Sequence, residues 1–326
     1  VNTRPPRSAA AHVLRRCAHF AVVLFAVYTV SFFLLYALPG DPVALMLERR
    51  SAGAGGGTPE QLAALRARYG LDDPLPQRYL STLGALLTGD LGTSFQSGRP
   101  VPELLAAVAP GTLALAGAAL VLAVPFSLAL ALLTSHRPGS PAHRILVNVP
   151  ALLAAVPAFW LALLLVQVFS FGLGWFPSAG GEGLPGLVLP AVSLALPVSA
   201  ALTAVLVRGL DDVQRAGFVA LLRARGLPWR RVYLAHVARN ALLPFVTLTG
   251  LTVGGVLAGT VITETVFARA GLGRLLASSV ETQDAPVVLA IAVLAALVFA
   301  AVNLLTDLLL PLLDPRLRHR TDGARA

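Results

Sequence analysis

Acid–base or nucleophilic chemistry in this chain would have to come from very few groups. Within or at the margins of its long apolar runs, the carboxylates are Glu264 and Asp307. Aspartyl-protease chemistry needs two carboxylates close enough to share a proton, and these two belong to opposite ends of different runs. A serine nucleophile needs a neighbouring base, but His12, His19, His136, His143, His236 and His319 all fall outside the apolar runs. Cys17 is the single cysteine, which excludes an intrachain disulfide and a thiolate metal cluster. All 25 basic residues are arginine, so the lysine of a nucleotide-binding P-loop is missing. No catalytic residue, metal site or cofactor is expected, and any ATP that drives this chain must be held by another subunit. Glu264, Asn303 and Asp307 are read as helix-interface or gate groups, the last two sharing a helix face at i, i+4.

The elements that position these residues are set by the solvent. A mean hydropathy of +0.76 with 56% hydrophobic residues is too apolar for an ordinary globular domain, so a bilayer must surround much of the chain. A spanning helix needs about 20 apolar residues. Six runs qualify: 20–38, 111–133, 145–171, 187–207, 245–266 and 287–309. The expected fold is an all-α membrane protein with six transmembrane helices. The first run is longer than a signal-peptide core and lacks a small-residue cleavage site, so it is read as a retained anchor. With both termini cytoplasmic, residues 1–19, 134–144, 208–244 and 310–326 hold 17 of the 25 arginines. That placement satisfies the positive-inside rule and accounts for the net charge of +9. Arginines spread over four segments form no nucleic-acid stripe.

The extracytoplasmic segment 39–110 combines the glycine tract Gly53–Gly57 with helical patterns beginning at Thr58-Pro59-Glu60 and running over Gln77–Leu87. A small cap of short helices is expected there. Pro125, Pro150, Pro157, Pro190 and Pro197 interrupt the apolar runs, a pattern tolerated where neighbouring helices or an aqueous path satisfy the freed carbonyls.

The functional signal lies in the basic segment Arg208–Arg239. Asp211 and Asp212 are placed to start a helix, Gly226 to occupy a left-handed C′ position, and Pro228 to follow it. Between them Phe218, Val219, Leu221, Leu222 and Ala224 alternate with Arg223 and Arg225, describing a short amphipathic helix outside the membrane. Apolar side chains held in water point to a docking surface.

Leu222-Arg223-Ala224-Arg225-Gly226-Leu227 and His236 to Pro244 resemble the cytoplasmic loop of binding-protein-dependent ABC importer permeases, in the form used by the dipeptide, oligopeptide and nickel branch. Further landmarks of that family match in order: Pro39-Gly40-Asp41-Pro42, Gly89 to Ser94, Thr263 to Phe267 with Gly271-Leu272-Gly273, Asn303 to Leu308, and Asp314-Pro315-Arg316. The chain departs from the family at Gly217, Phe218 and Leu222, and Gly217 would cost a helix interior about 1 kcal/mol relative to alanine. The resemblance implies a type I importer permease fold with an outer-face helical insertion between helices 1 and 2. It implies an inner-membrane subunit partnered by a second homologous permease, two ABC ATPase subunits and an extracytoplasmic solute-binding protein. Peptides, nickel chelates or related small solutes would be the cargo. Phe218, Val219, Leu222, Arg223, Ala224, Arg225, Gly226 and Leu227, with His236 and Arg239, would then couple to an ATPase, Phe218 and Leu222 acting as apolar plugs. The alternative, an ion-coupled secondary transporter, should carry inverted repeats and paired broken helices.

Overall fold

In the computed structural model the described residues are 9–37, 58–68, 71–181 and 183–313. All regular structure among them is helical, with one isolated bridge between Thr93 and Pro100. The helices are α1 (Ala9–Ala37), α2 (Pro59–Arg68), α3 (Leu75–Leu87), α4 (Val101–His136), α5 (Pro141–Leu146), α6 (Val149–Ala155), α7 (Ala158–Leu165), α8 (Pro185–Gln214), α9 (Gly217–Ala224), α10 (Trp229–Arg231), α11 (Arg239–Val266), α12 (Leu272–Glu281) and α13 (Ala285–Leu313). Seven-residue π-helical stretches extend α7, over Val166–Gly172, and precede α11, over Val232–Ala238.

Among the described residues four helical stretches are long and apolar enough to cross a membrane: Val101–His136, Pro185–Gln214, Trp229–Val266 and Ala285–Leu305. The run 145–171, expected as one span, is instead a pair of segments, Pro141–Ala155 and Ala158–Gly172, bent by 98°. The cause is local. Pro157 forces the preceding Val156 into extended backbone (φ −85°, ψ 120°), and Pro157 itself (φ −59°, ψ 134°) stands just outside the start of α7. Within α1 the apolar stretch Phe20–Leu35 is shorter than a full span. The described residues thus supply four spans, or five with the bent pair, where the hydropathy pattern predicts six.

The chain forms two compact units. In the one built on α1, α2, α3 and the start of α13, Tyr28, Phe32 and Leu289 form the core with Tyr79, Leu83 and Leu86 against them. The Tyr28 hydroxyl lies 2.6 Å from Thr82 Oγ1 and donates to the Tyr79 carbonyl at 3.1 Å, anchoring α3. The two helical starts expected at Thr58-Pro59 and near Gln77 are α2 and α3.

The second unit, Gly111–Gly273 together with the chain from Ala301, is organised around α8. Over half of that span's apolar window is buried (56%), against 17% for Trp229–Val266. The central helix therefore packs in protein, while the other leaves an apolar face for lipid or a partner. Leu202, Leu206 and Leu210 of α8 join Val232, Tyr233, Val237 and Phe245 in one core cluster. Pro190, inside α8, cannot donate to the carbonyl four residues earlier. That carbonyl, of Gly186, accepts Arg269 Nη1 at 2.8 Å instead.

Candidate functional site

The segment expected to dock a partner begins later than its sequence suggests. Helix α8 continues two turns past its apolar window, so Asp211 and Asp212 lie in its last turns and do not cap α9. Helix α9 starts after Ala216, which is extended (φ −69°, ψ 140°) and makes no side-chain cap. Gly217 is consequently the first helical residue and escapes the interior penalty expected for it.

The C-terminal end matches the sequence expectation closely. Gly226 adopts φ +80°, its N–H donates to the Arg223 carbonyl at 2.9 Å, and the Leu227 N–H donates to the Leu222 carbonyl at 3.3 Å. These two bonds are the Schellman pair, and glycine takes the left-handed C′ position at little steric cost. Leu222 and Leu227 both pack on the core cluster around Val219 and Val232, completing the apolar contact that usually accompanies the motif.

Starting at Gly217 sets the phase of α9. Val219 is buried and Leu222 half-buried against the chain's own core, whereas Phe218 (40%) and Leu221 (53%) are exposed. Leu222, expected as an apolar plug, packs on the chain's own core. Leu221 is the outward residue that joins Phe218 at i, i+3. Ala224, Arg223 and Arg225 are exposed, and the Arg223 guanidinium sits 5.4 Å from the Trp229 ring centroid, a cation–π arrangement that holds it on the helix surface. His236 is half-buried in the π-helical stretch, where its carbonyl accepts Asn240 Nδ2 at 2.7 Å, and Arg239 is exposed.

A set of bonds not foreseen from the sequence ties this loop to α4. The last carbonyls of a helix have no partner within it. In α4 the Leu132 carbonyl accepts the Tyr233 hydroxyl (2.8 Å) and the Ser135 carbonyl accepts Gln214 Nε2 (2.9 Å). The His136 carbonyl accepts Trp229 Nε1 (3.0 Å), and the Thr134 carbonyl pairs with His143 Nδ1 at 2.8 Å. A carbonyl only accepts, so that nitrogen carries the hydrogen. Three of the last four carbonyls of α4, and that of Leu132 just before them, are thus met by side chains from both flanking segments, and the Tyr233 ring also packs edge-on to His136 at 5.2 Å. Each residue type was visible in the sequence, but three of the four pairings span 79 to 101 positions.

Glu264 lies at the other end of the same unit. It is 1% exposed, and its carboxyl group accepts the Thr112 hydroxyl at 2.6 Å and the Gly273 N–H at 2.8 Å. Thr112 Oγ1 in turn accepts the Leu272 N–H at 2.7 Å. A Cβ on Gly271 would collide with the Glu264 carboxyl carbon, and one on Gly273 with the Val261 backbone. The Thr263–Phe267 and Gly271–Gly273 landmarks therefore belong to one construction: a buried carboxyl group closed over by a turn that only glycine permits. Of the other interface candidates, Asn303 is half-buried on α13, and the side chain of Asp307 lies outside the described residues. In the first unit Asp284, not anticipated, does a similar job: it is buried and accepts Ser94 Oγ at 2.5 Å and the Phe95 N–H at 3.0 Å. The Gly89–Ser94 landmark is thereby fastened to the turn before α13.

Long apolar helices with a short amphipathic helix between two of them define the class: a polytopic membrane protein. The family model described as "Binding-protein-dependent transport system inner membrane component" matches residues 123–319, and its N-terminal companion matches residues 10–116. The chain belongs to this family of ABC importer permeases, which are transport subunits and not enzymes. It is 35% identical over 321 residues to the oligopeptide transport system permease protein AppB of Bacillus subtilis (strain 168), covering 95% of this chain and 100% of that protein. It is 35% identical over 310 residues to the glutathione transport system permease protein GsiC of Pectobacterium atrosepticum, covering 95% and 99%. A crystal structure of an amino acid ABC transporter with histidines shares the fold, with a TM-score of 0.50 at 19% identity over 66% of this chain and 94% of that one.

Proposed function

We propose that this chain is the permease subunit of an ATP-driven importer of peptides, coupled to an ATPase through α9. It lines the path together with a second, homologous permease and receives cargo from an extracytoplasmic solute-binding protein. Peptide cargo is favoured over nickel chelates because the similar permeases carry oligopeptide and glutathione in their names. The termini are cytoplasmic, and the arginine-rich segments 134–144 and 208–244 lie on the same side of the membrane as the ATPases. The hydrogen bonds from Gln214 and Trp229 to Ser135 and His136 agree with placing those two segments on one side.

The observation that carries this reading is the orientation of α9. Phe218 and Leu221 point away from the core that Val219 and Leu222 enter, so a rigidly seated helix offers an apolar knob to a groove on another protein. Closure of two ATPases on ATP would push this helix in each permease. The push then passes to α4 through the carbonyl clamp and switches the path between its inward-open and outward-open states.

Gly226→Val tests it. A β-branched residue at φ +80° is strained by roughly 1–2 kcal/mol, enough to turn α9 without unfolding the spans. Uptake and transport-linked ATP hydrolysis should fall together while the amount of inserted protein stays unchanged. Wild-type uptake in that variant would overturn the coupling role.

A further inference from the structure

A cavity of about 460 Å³ opens beside the carbonyl clamp, between the end of α4 and the stretch from α10 into the π-helix. Its floor is apolar: Leu132, with Leu133 and Leu234, the last two 65% and 49% exposed. Its rim is cationic or protonatable: Arg137 and Arg230, both exposed, with the half-buried His136. No carboxylate lines it, and neither arginine is matched by an ion pair among the described residues.

We propose that this cavity binds an anionic phospholipid, its phosphate between Arg137 and Arg230 and its first acyl carbons on Leu133 and Leu234. The argument is charge complementarity combined with position. Both flanking helices are long and apolar enough to be membrane spans, and the exposed leucines sit with the arginines at the cytoplasmic ends of those helices, where acyl carbons give way to headgroups. Trp229 and Tyr233 complete the wall, aromatic residues of the kind that settle at that depth. Their polar atoms are already engaged by the His136 and Leu132 carbonyls, which fixes their rings and leaves the phosphate to the guanidinium groups. A guanidinium fork suits a phosphate in two-point contact. Bound lipid would brace the same two elements that the clamp joins. The inference rests on membrane embedding and stands whether or not α9 meets an ATPase.

The chain has three tryptophans. Replacing Trp160 and Trp175 with phenylalanine leaves Trp229 as the reporter in the full-length protein. In vesicles of phosphatidylcholine containing a minor fraction of brominated phosphatidylglycerol, Trp229 should be quenched more than with brominated phosphatidylcholine at the same fraction. Each arginine near an anionic lipid is worth roughly a fivefold preference, and Arg137→Gln with Arg230→Gln should abolish it. Equal quenching by both lipids, or a preference indifferent to the double substitution, would overturn the proposal. So would displacement of the lipid by millimolar inorganic phosphate, which would mark a soluble ligand, or by added ATPase subunit, which would mark a protein interface. Mass spectrometry of the chain with its native tryptophans, after incubation with equal amounts of both lipids, provides the same comparison if the reporter variant does not fold. Retained phosphatidylglycerol in excess supports the site, and equal retention refutes it.

Discussion

The two ends of the second unit hold their turns in opposite ways. At the Glu264 end a carboxyl group is buried, and its acceptors are taken by Thr112 and Gly273 under two glycines with no room for a side chain. At the α9 end the acceptors are main-chain carbonyls of α4, the donors are neutral or ring groups of Gln214, Trp229, Tyr233 and His143, and the arginines remain on the surface. One end encloses its ionisable group in the structure and the other keeps its arginines outside. The first arrangement suits a fixed turn, and the second leaves charge and apolar surface available to partners while the scaffold beneath is still braced. The same landmark density in the sequence therefore hides two constructions, and on the function proposed above they do two jobs, one architectural and one interactive.

Substitutions at the two ends should separate those jobs. The largest effect is expected from Glu264→Ala, which leaves the Thr112 hydroxyl and the Gly273 N–H without their acceptor. Each buried donor left unpaired costs about 1–3 kcal/mol, so the melting temperature and yield of purified protein should drop and uptake should fall only in proportion to the protein lost. Next comes Val219→Ser on the inward face of α9, which removes a buried apolar side chain and should cost roughly 1–3 kcal/mol of stability, measured by thermal unfolding in detergent. Leu221→Ser, on the outward face two residues away, should leave the melting temperature unchanged and weaken ATPase binding roughly tenfold, as loss of a central apolar contact does. A smaller change is expected from Tyr233→Phe, which removes one donor to the α4 carbonyls, worth about 1 kcal/mol. ATP hydrolysed per solute imported should rise with little change in ATPase binding. If Leu221→Ser instead destabilised the protein as strongly as Val219→Ser, the contrast between the faces would be lost.

Much of this plan was legible in the residues. Hydropathy marked the long spans, Thr58-Pro59 marked α2, and Arg225-Gly226-Leu227-Pro228 marked the end of α9, because each depends on neighbours within one or two turns. The phase of α9 was not legible. Asp211-Asp212 is as good a start signal as any, and only burial of Leu206 and Leu210 beneath the loop carries α8 through those acids to Gln214. That shift puts Leu222 on the inward face of α9 and Leu221 on the outward one. The break at Val156–Pro157 was present as a proline, yet the apolar run around it reads equally well as one kinked helix or as two. Glu264 was read as a helix-interface or gate group without a partner, because Thr112 is 152 positions away, and most of the clamp on α4 and the Ser94–Asp284 latch are hidden for the same reason. Pairings of that range follow from packing, which periodicity does not encode.

The most direct test of α9 as the contact with the motor uses cysteine crosslinking in the assembled transporter, with Cys17, the single native cysteine, replaced by serine. Cysteines introduced one at a time at Phe218, Val219 and Leu221 would each be offered a short bifunctional reagent and the ATPase subunit. The predicted result is an adduct with that subunit from positions 218 and 221 and none from the buried position 219. Capture from 219 alone, or from none of the three while the complex still imports solute, would contradict it.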